Sequence, residues 1–132
     1  MYINFLVAYI LVLMYHESLI HRRKKMTTFY NAKKIDNIHF AQKLIDERKH
    51  RALDVRSPVE YRDGTLFEAP NAPLRAFVNE FLKVRKETSK VILIGSKEAQ
   101  DDLASCIRYA HSFQVNDNKE LRLSYMYYED FA

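Results

Sequence analysis

Cys106 is the only thiol among 132 residues and the first candidate for nucleophilic chemistry. A reactive thiol needs its pKa lowered by a cation or a helix N-terminus. Cys106 falls instead on a stripe with Leu103, Ile107 and Ala110, the spacing of a helix's inner face. There a free cysteine behaves as a small hydrophobe. Ser96 directly follows an apolar run, but a serine nucleophile needs a partnered base, and the nearest histidine in sequence is His111 at the far end of a helix. The five histidines (His16, His21, His39, His50 and His111) show no ligand spacing, so no metal and no cofactor are expected. With only 2 glycines the chain holds no glycine-rich phosphate loop.

The elements that would carry these residues alternate helix and strand. Asp36 can cap a helix over residues 37–47, with Ile38, Ala41, Leu44 and Ile45 on one face. Residues 51–56 read as a short strand, broken by Ser57-Pro58. Residues 64–73 read as a loop with a short strand around 69–72. Pro73 opens a helix whose stripe is Leu74, Phe77, Val78, Phe81 and Leu82. Val91-Ile-Leu-Ile94 has the apolar continuity of a strand buried on both faces. A polar loop over 96–100 leads to the helix of Cys106, opened by Asp101 and Asp102. Residues 121–125 alternate as a last strand, followed by an aromatic tail that should pack on the domain. This order predicts an α/β domain in which sites lie at the carboxyl ends of the strands, after Val55 and after Ile94. A shared core of Leu53, Phe77, Phe81, Ile92 and Leu103 follows.

Hydrophobic residues at 48% and charged residues at 29% describe one folded domain. Net charge is +4, but residues 1–25 hold Arg22, Arg23, Lys24 and Lys25 against Glu17 alone. The rest of the chain therefore carries only +1, and no nucleic-acid partner is expected. Met1 to Tyr15 is apolar but about five residues short of a spanning helix. Two readings of residues 1–25 compete. One is a weak membrane anchor over residues 1–20 that leaves the domain in the cytoplasm, on the inner-membrane side. The other is a mis-assigned start: Arg22-Arg-Lys-Lys25 written AGG-AGG-AAA-AAA would be a bacterial ribosome-binding site ahead of Met26. In both, residues 26–132 form the domain and the extension stands apart from its core.

Leu53-Asp54-Val55-Arg56-Ser57-Pro58-Val59-Glu60-Tyr61 resembles the Asp-x-Arg-x-x-x-Glu turn of the rhodanese-like family. Gly64-Thr65-Leu66-Phe67-Glu68-Ala69-Pro70-Asn71-Ala72-Pro73 is similar to that family's Gly-His-Ile-x-Gly-Ala-x-Asn-x-Pro segment, with Thr65 for the usual His and Glu68 for the usual Gly. The likeness covers roughly residues 27–115. It implies a five-stranded, mostly parallel sheet with helices on both faces. It also implies a loop after the strand 91–94 in which a cysteine carries sulfur as a persulfide.

At that position stands Gly95, which has no nucleophile. The residual active-site loop is Gly95, Ser96, Lys97, Glu98, Ala99, Gln100 and Asp101, with a net charge of −1. That rim repels thiosulfate and phosphoesters alike. Asp54 and Arg56 would flank the pocket, Asp54 holding loop backbone, Arg56 pairing with Glu60 or another carboxylate, and Asn71 tying the loop down. The expectation is a bacterial, cytoplasmic pseudoenzyme with a sulfurtransferase fold, binding another protein or a small ligand. The alternative is an active sulfurtransferase using Cys106 as a relocated nucleophile.

Overall fold

Residues 32–132, together with Val7 and Ile10, are described by a computed structural model. Four strands, β1 (Ala32–Lys34), β2 (Arg51–Asp54), β3 (Lys90–Gly95) and β4 (Arg122–Tyr127), form one sheet in the order β1-β4-β3-β2. Every pairing is parallel, with Lys33 opposite Ser124, Leu53 opposite Leu93, and Gly95 opposite Tyr127. Parallel neighbours need crossovers, and helices α1 (Ile38–Arg48), α2 (Pro58–Arg62), α3 (Phe77–Arg85) and α4 (Gln100–Asp117) lie in them.

The expected fifth strand around 69–72 is reduced to a single bridge between Asp54 and Asn71. Asp54 N donates to Pro70 O at 2.9 Å and Ala72 N to Asp54 O at 2.7 Å. Pro70 has no N–H to continue the ladder towards Ala52, and on the other side Arg56 N is taken by Asp54 Oδ1 and Arg56 O by Asn71 Nδ2, so the pairing stops at one bridge.

Local chemistry also moves several boundaries. Asn37, not Asp36, caps α1: its side chain accepts from His39 N at 2.8 Å and Phe40 N at 3.2 Å. The break at Ser57-Pro58 is the start of α2, closed by a capping box between Ser57 and Glu60. Pro73 opens a turn rather than a helix, with Ala76 N on Pro73 O, and α3 begins at Phe77. Gln100, expected in the loop, already belongs to α4, whose first turn holds Asp101 and Asp102 as expected, and Lys97–Ala99 form a 3-10 turn before it.

Alternation along the strands sends neighbouring side chains to opposite faces. One face carries Leu53, Val91, Leu93 and Leu123 beneath α3 and α4, with Phe77, Phe81, Leu103, Cys106 and Phe113. Ring centroids there lie 5.3 Å apart for Phe77–Phe81 and 5.8 Å for Phe81–Phe113. The other face carries Ala52, Ile92, Ile94 and Met126 beneath α1. Ile92 therefore lies across the sheet from Phe77 and Phe81, not beside them as expected.

The assignments made for residues 1–25 fall outside the described residues except at Val7 and Ile10. Ile10 has 0% exposure and belongs to the core beneath α3 and α4, with Val7 packed against it. This runs against the expectation that the extension stands apart from the core. Among the described residues no helix is long and apolar enough to cross a membrane.

Candidate functional site

Beyond the carboxyl ends of β2 and β3 lies a cleft of about 450 Å³, walled by the Pro73–Arg75 turn and the first turn of α4. Val55, Arg56, Gly95, Ser96, Asp102 and Leu103 line it. The two strand ends singled out from the sequence thus share one site.

Its floor is Gly95, and the space a side chain would need there is taken. A Cβ on Gly95 would lie 2.8 Å from Leu103 Cδ2 and 3.2 Å from both Cδ1 and Cγ. Real Cβ atoms do not approach carbon that closely, so Leu103 occupies the space that a side chain on residue 95 would take. Cys106 lies one turn further along α4, with 0% exposure. Burial pushes its thiol well above the ordinary value, and the charge of Asp102 adds to the effect.

Asp54 and Arg56 are both buried and locked to each other rather than open to a ligand. Arg56 Nε donates to both Asp54 oxygens, at 3.1 and 3.2 Å, and Nη2 to Oδ2 at 2.9 Å. Of the two partners expected for Arg56, Glu60 or another carboxylate, it is the other carboxylate that pairs with it, while Glu60 is held in the α2 cap. Thr65 donates its hydroxyl to Asp54 Oδ2 at 2.5 Å. Arg56 Nη2 also donates to Gly64 O at 2.5 Å, and the guanidinium lies 3.7 Å from the centre of the Tyr128 ring. Asn71 Nδ2 donates to Asp54 O and Arg56 O, both at 3.0 Å, and so pins the loop as expected. A buried pair with this many partners is a structural staple.

The tail forms the other wall of this constellation. Ser96, only 2% exposed, donates its hydroxyl to Glu129 Oε1 at 2.6 Å and accepts from Glu98 N at 3.2 Å. Lys97 N donates to the same carboxylate, and Lys97 Nζ pairs with Asp130. Burial works to raise the Glu129 carboxyl, but the hydrogen bonds from Ser96 and backbone N–H groups outweigh it and hold the group below its ordinary value. Ser96 is therefore a clasp between loop and tail. Tyr128 belongs to the aromatic tail expected to pack on the domain, and Thr65 was noted in the loop segment without a role, whereas nothing local marked Glu129.

Asp102 and Glu60 are the carboxylates of the cleft. Partial burial, and then the charges of Asp101 and Glu60, raise the Asp102 carboxyl above the ordinary range. No group of three histidine, cysteine or carboxylate side chains able to hold a metal occurs among the described residues. Comparison with protein-family models, with curated proteins and with solved structures found no match for this chain.

Proposed function

We propose that this chain is a rhodanese-like domain that has lost sulfur transfer and serves in the cytoplasm of a bacterium as a binding or regulatory module. The observation that carries the reading is Leu103 filling the space above Gly95, where the nucleophile would stand. Three further features support it. Asp54, Arg56, Gly64 and Asn71, the residues of the resemblance, meet at one strand end. The one thiol faces a packed core. Glu60 and Asp102 line the cleft with Arg56 and Arg75, and since Arg56 is already paired with Asp54, Arg75 alone is left to face the two carboxylates, which does not favour a small anion. A protein segment or small ligand without a strong negative charge fits it best.

Thiosulfate:cyanide turnover by the intact chain is the test, with Cys106→Ser as control. The two proteins are expected to give the same background. Native Cys106 should also resist an aromatic disulfide reagent until the chain is unfolded. Turnover that disappears in Cys106→Ser would overturn the proposal in favour of a relocated nucleophile.

A further inference from the structure

A second, larger cleft of about 900 Å³ lies between α1 and the β1–β4 edge, towards the amino ends of the strands. It exists because α1 covers only the middle of its face of the sheet. Ala41, Leu44 and Ile45 pack with Ile92 and Ile94, while Lys33 and Ser124, paired in register, remain beside the helix. Six cations line the space: Lys33, Lys34, Lys43, Arg48, Lys90 and Arg122. Among the described residues no carboxylate lines it.

Lys34 pairs with Asp36 and Arg122 with Glu120. Among the described residues Lys33, Lys43, Arg48 and Lys90 have no carboxylate partner; the Lys90 ammonium reaches only Arg48 O, at 3.4 Å. Moreover, Lys90 and Arg122 stand directly opposite each other on neighbouring strands. Like charges in that register oppose folding. His50, 8% exposed, lies in the same wall with Nδ1 3.2 Å from Leu44 O. Burial is the largest influence lowering its pKa, and Lys90 and Arg122 lower it further, as a positive potential would.

We propose that this cleft binds a small phosphate ester of nucleotide size. Four cations without carboxylates call for several negative charges close together, which phosphate groups supply and lysine ammonium groups hold well. The volume is that of a site for a small organic molecule. Ile35, Leu123 and the half-exposed ring of Phe40 give an apolar or aromatic body a surface to rest on. The cleft is at the opposite end of the strands from Gly95, so the inference stands apart from the fate of the sulfur-transfer site.

Isothermal titration of the intact chain at low salt, with ADP, adenosine and inorganic pyrophosphate as probes, tests it. ADP is expected to bind at least about tenfold more tightly than adenosine and more tightly than pyrophosphate, and to weaken as salt rises. Lys33→Glu with Lys43→Glu should weaken ADP by about tenfold or more. Both residues are exposed, and an unchanged melting temperature checks the fold. Lys83→Glu, an exposed charge reversal on α3, should leave the affinity unchanged.

The proposal is overturned if ADP produces no heat at millimolar concentration, or binds no better than adenosine. Equal loss in Lys83→Glu would also overturn it, because net charge alone would then explain the binding. A single-stranded oligonucleotide, or vesicles rich in phosphatidylserine, held far more tightly than ADP and not released by it would assign the cleft to a macromolecular or lipid surface instead.

Discussion

Gly95→Ala adds one methyl group to the floor of the first cleft and should destabilise the domain. The new Cβ would meet Leu103 Cδ2 at 2.8 Å, with two more Leu103 carbons at 3.2 Å. Overpacking of this kind costs about 1–3 kcal/mol. Loss of glycine's freedom in the unfolded chain returns about 0.4–1 kcal/mol. Leu103 can relieve part of the clash by turning into the cleft it lines, so the net loss should be about 1–2 kcal/mol. For a domain near this size that is a fall in melting temperature of roughly 5–15 °C. Leu103→Ala alone should cost about 2–5 kcal/mol as a cavity.

The decisive measurement is the double variant in urea or thermal unfolding. With Leu103 shortened, the methyl on residue 95 has room and fills part of the void. The double variant should therefore be about 1–2 kcal/mol more stable than the sum of the single effects predicts. Strict additivity, or a Gly95→Ala protein as stable as the parent, would refute the claim that Leu103 fills this space. The same clash awaits the Sγ-bearing carbon of Gly95→Cys, which should give no sulfur transfer on its own.

Ile10→Ala should cost about 2–5 kcal/mol by urea unfolding, because Ile10 has 0% exposure in the main core; no change would return the first residues to the status of an appendage. Asp54→Ala leaves the Arg56 guanidinium buried without its carboxylate and should cost about 3–5 kcal/mol, with a loss under about 1 kcal/mol contradicting the staple. Asp102→Asn should raise the melting temperature near neutral pH. The folded-state pKa of Asp102 is raised, so its ionisation opposes folding; the advantage of Asn shrinks as pH falls through the ordinary carboxylate range. A gain that grows towards acid would show the sign to be wrong.

Periodicity found β2, β3, β4 and three of the helices because each has a face to bury; β1, three residues at the edge of the sheet, carries no such signal and was not read. Val91-Ile-Leu-Ile94 is the clearest case, central and apolar on both sides. It could not say which face each residue would take, and Ile92 was assigned to the wrong one. Helix α2 was legible in principle, since Ser57-x-x-Glu60 is a capping box, but the proline beside it read only as a break. At the first cleft Gly95 was apparent from its type, as was Cys106, buried beyond it in the core. The clasp of Ser96 to Glu129 was not, because the partners are separated by 33 residues and joined only through the sheet. The basic cleft was hidden more thoroughly. Its cations are scattered from Lys33 to Arg122 in a body of nearly neutral net charge, and only the parallel pairing of the strands together with the packing of α1 on them gathers them.

The strand order carries a consequence for how the chain is made. β4 lies between β1 and β3, so of the four strands the one made last is interior to the sheet. Until β4 has left the ribosome, β1 lacks its partner and the edge of β3 that β4 will cover stands open. Collapse beneath α3 can begin early, but the sheet closes only once β4 has emerged. That long-range closure is a slow step by its topology. Until it is complete, the bare edge of β3 is the surface most exposed to pairing with another chain.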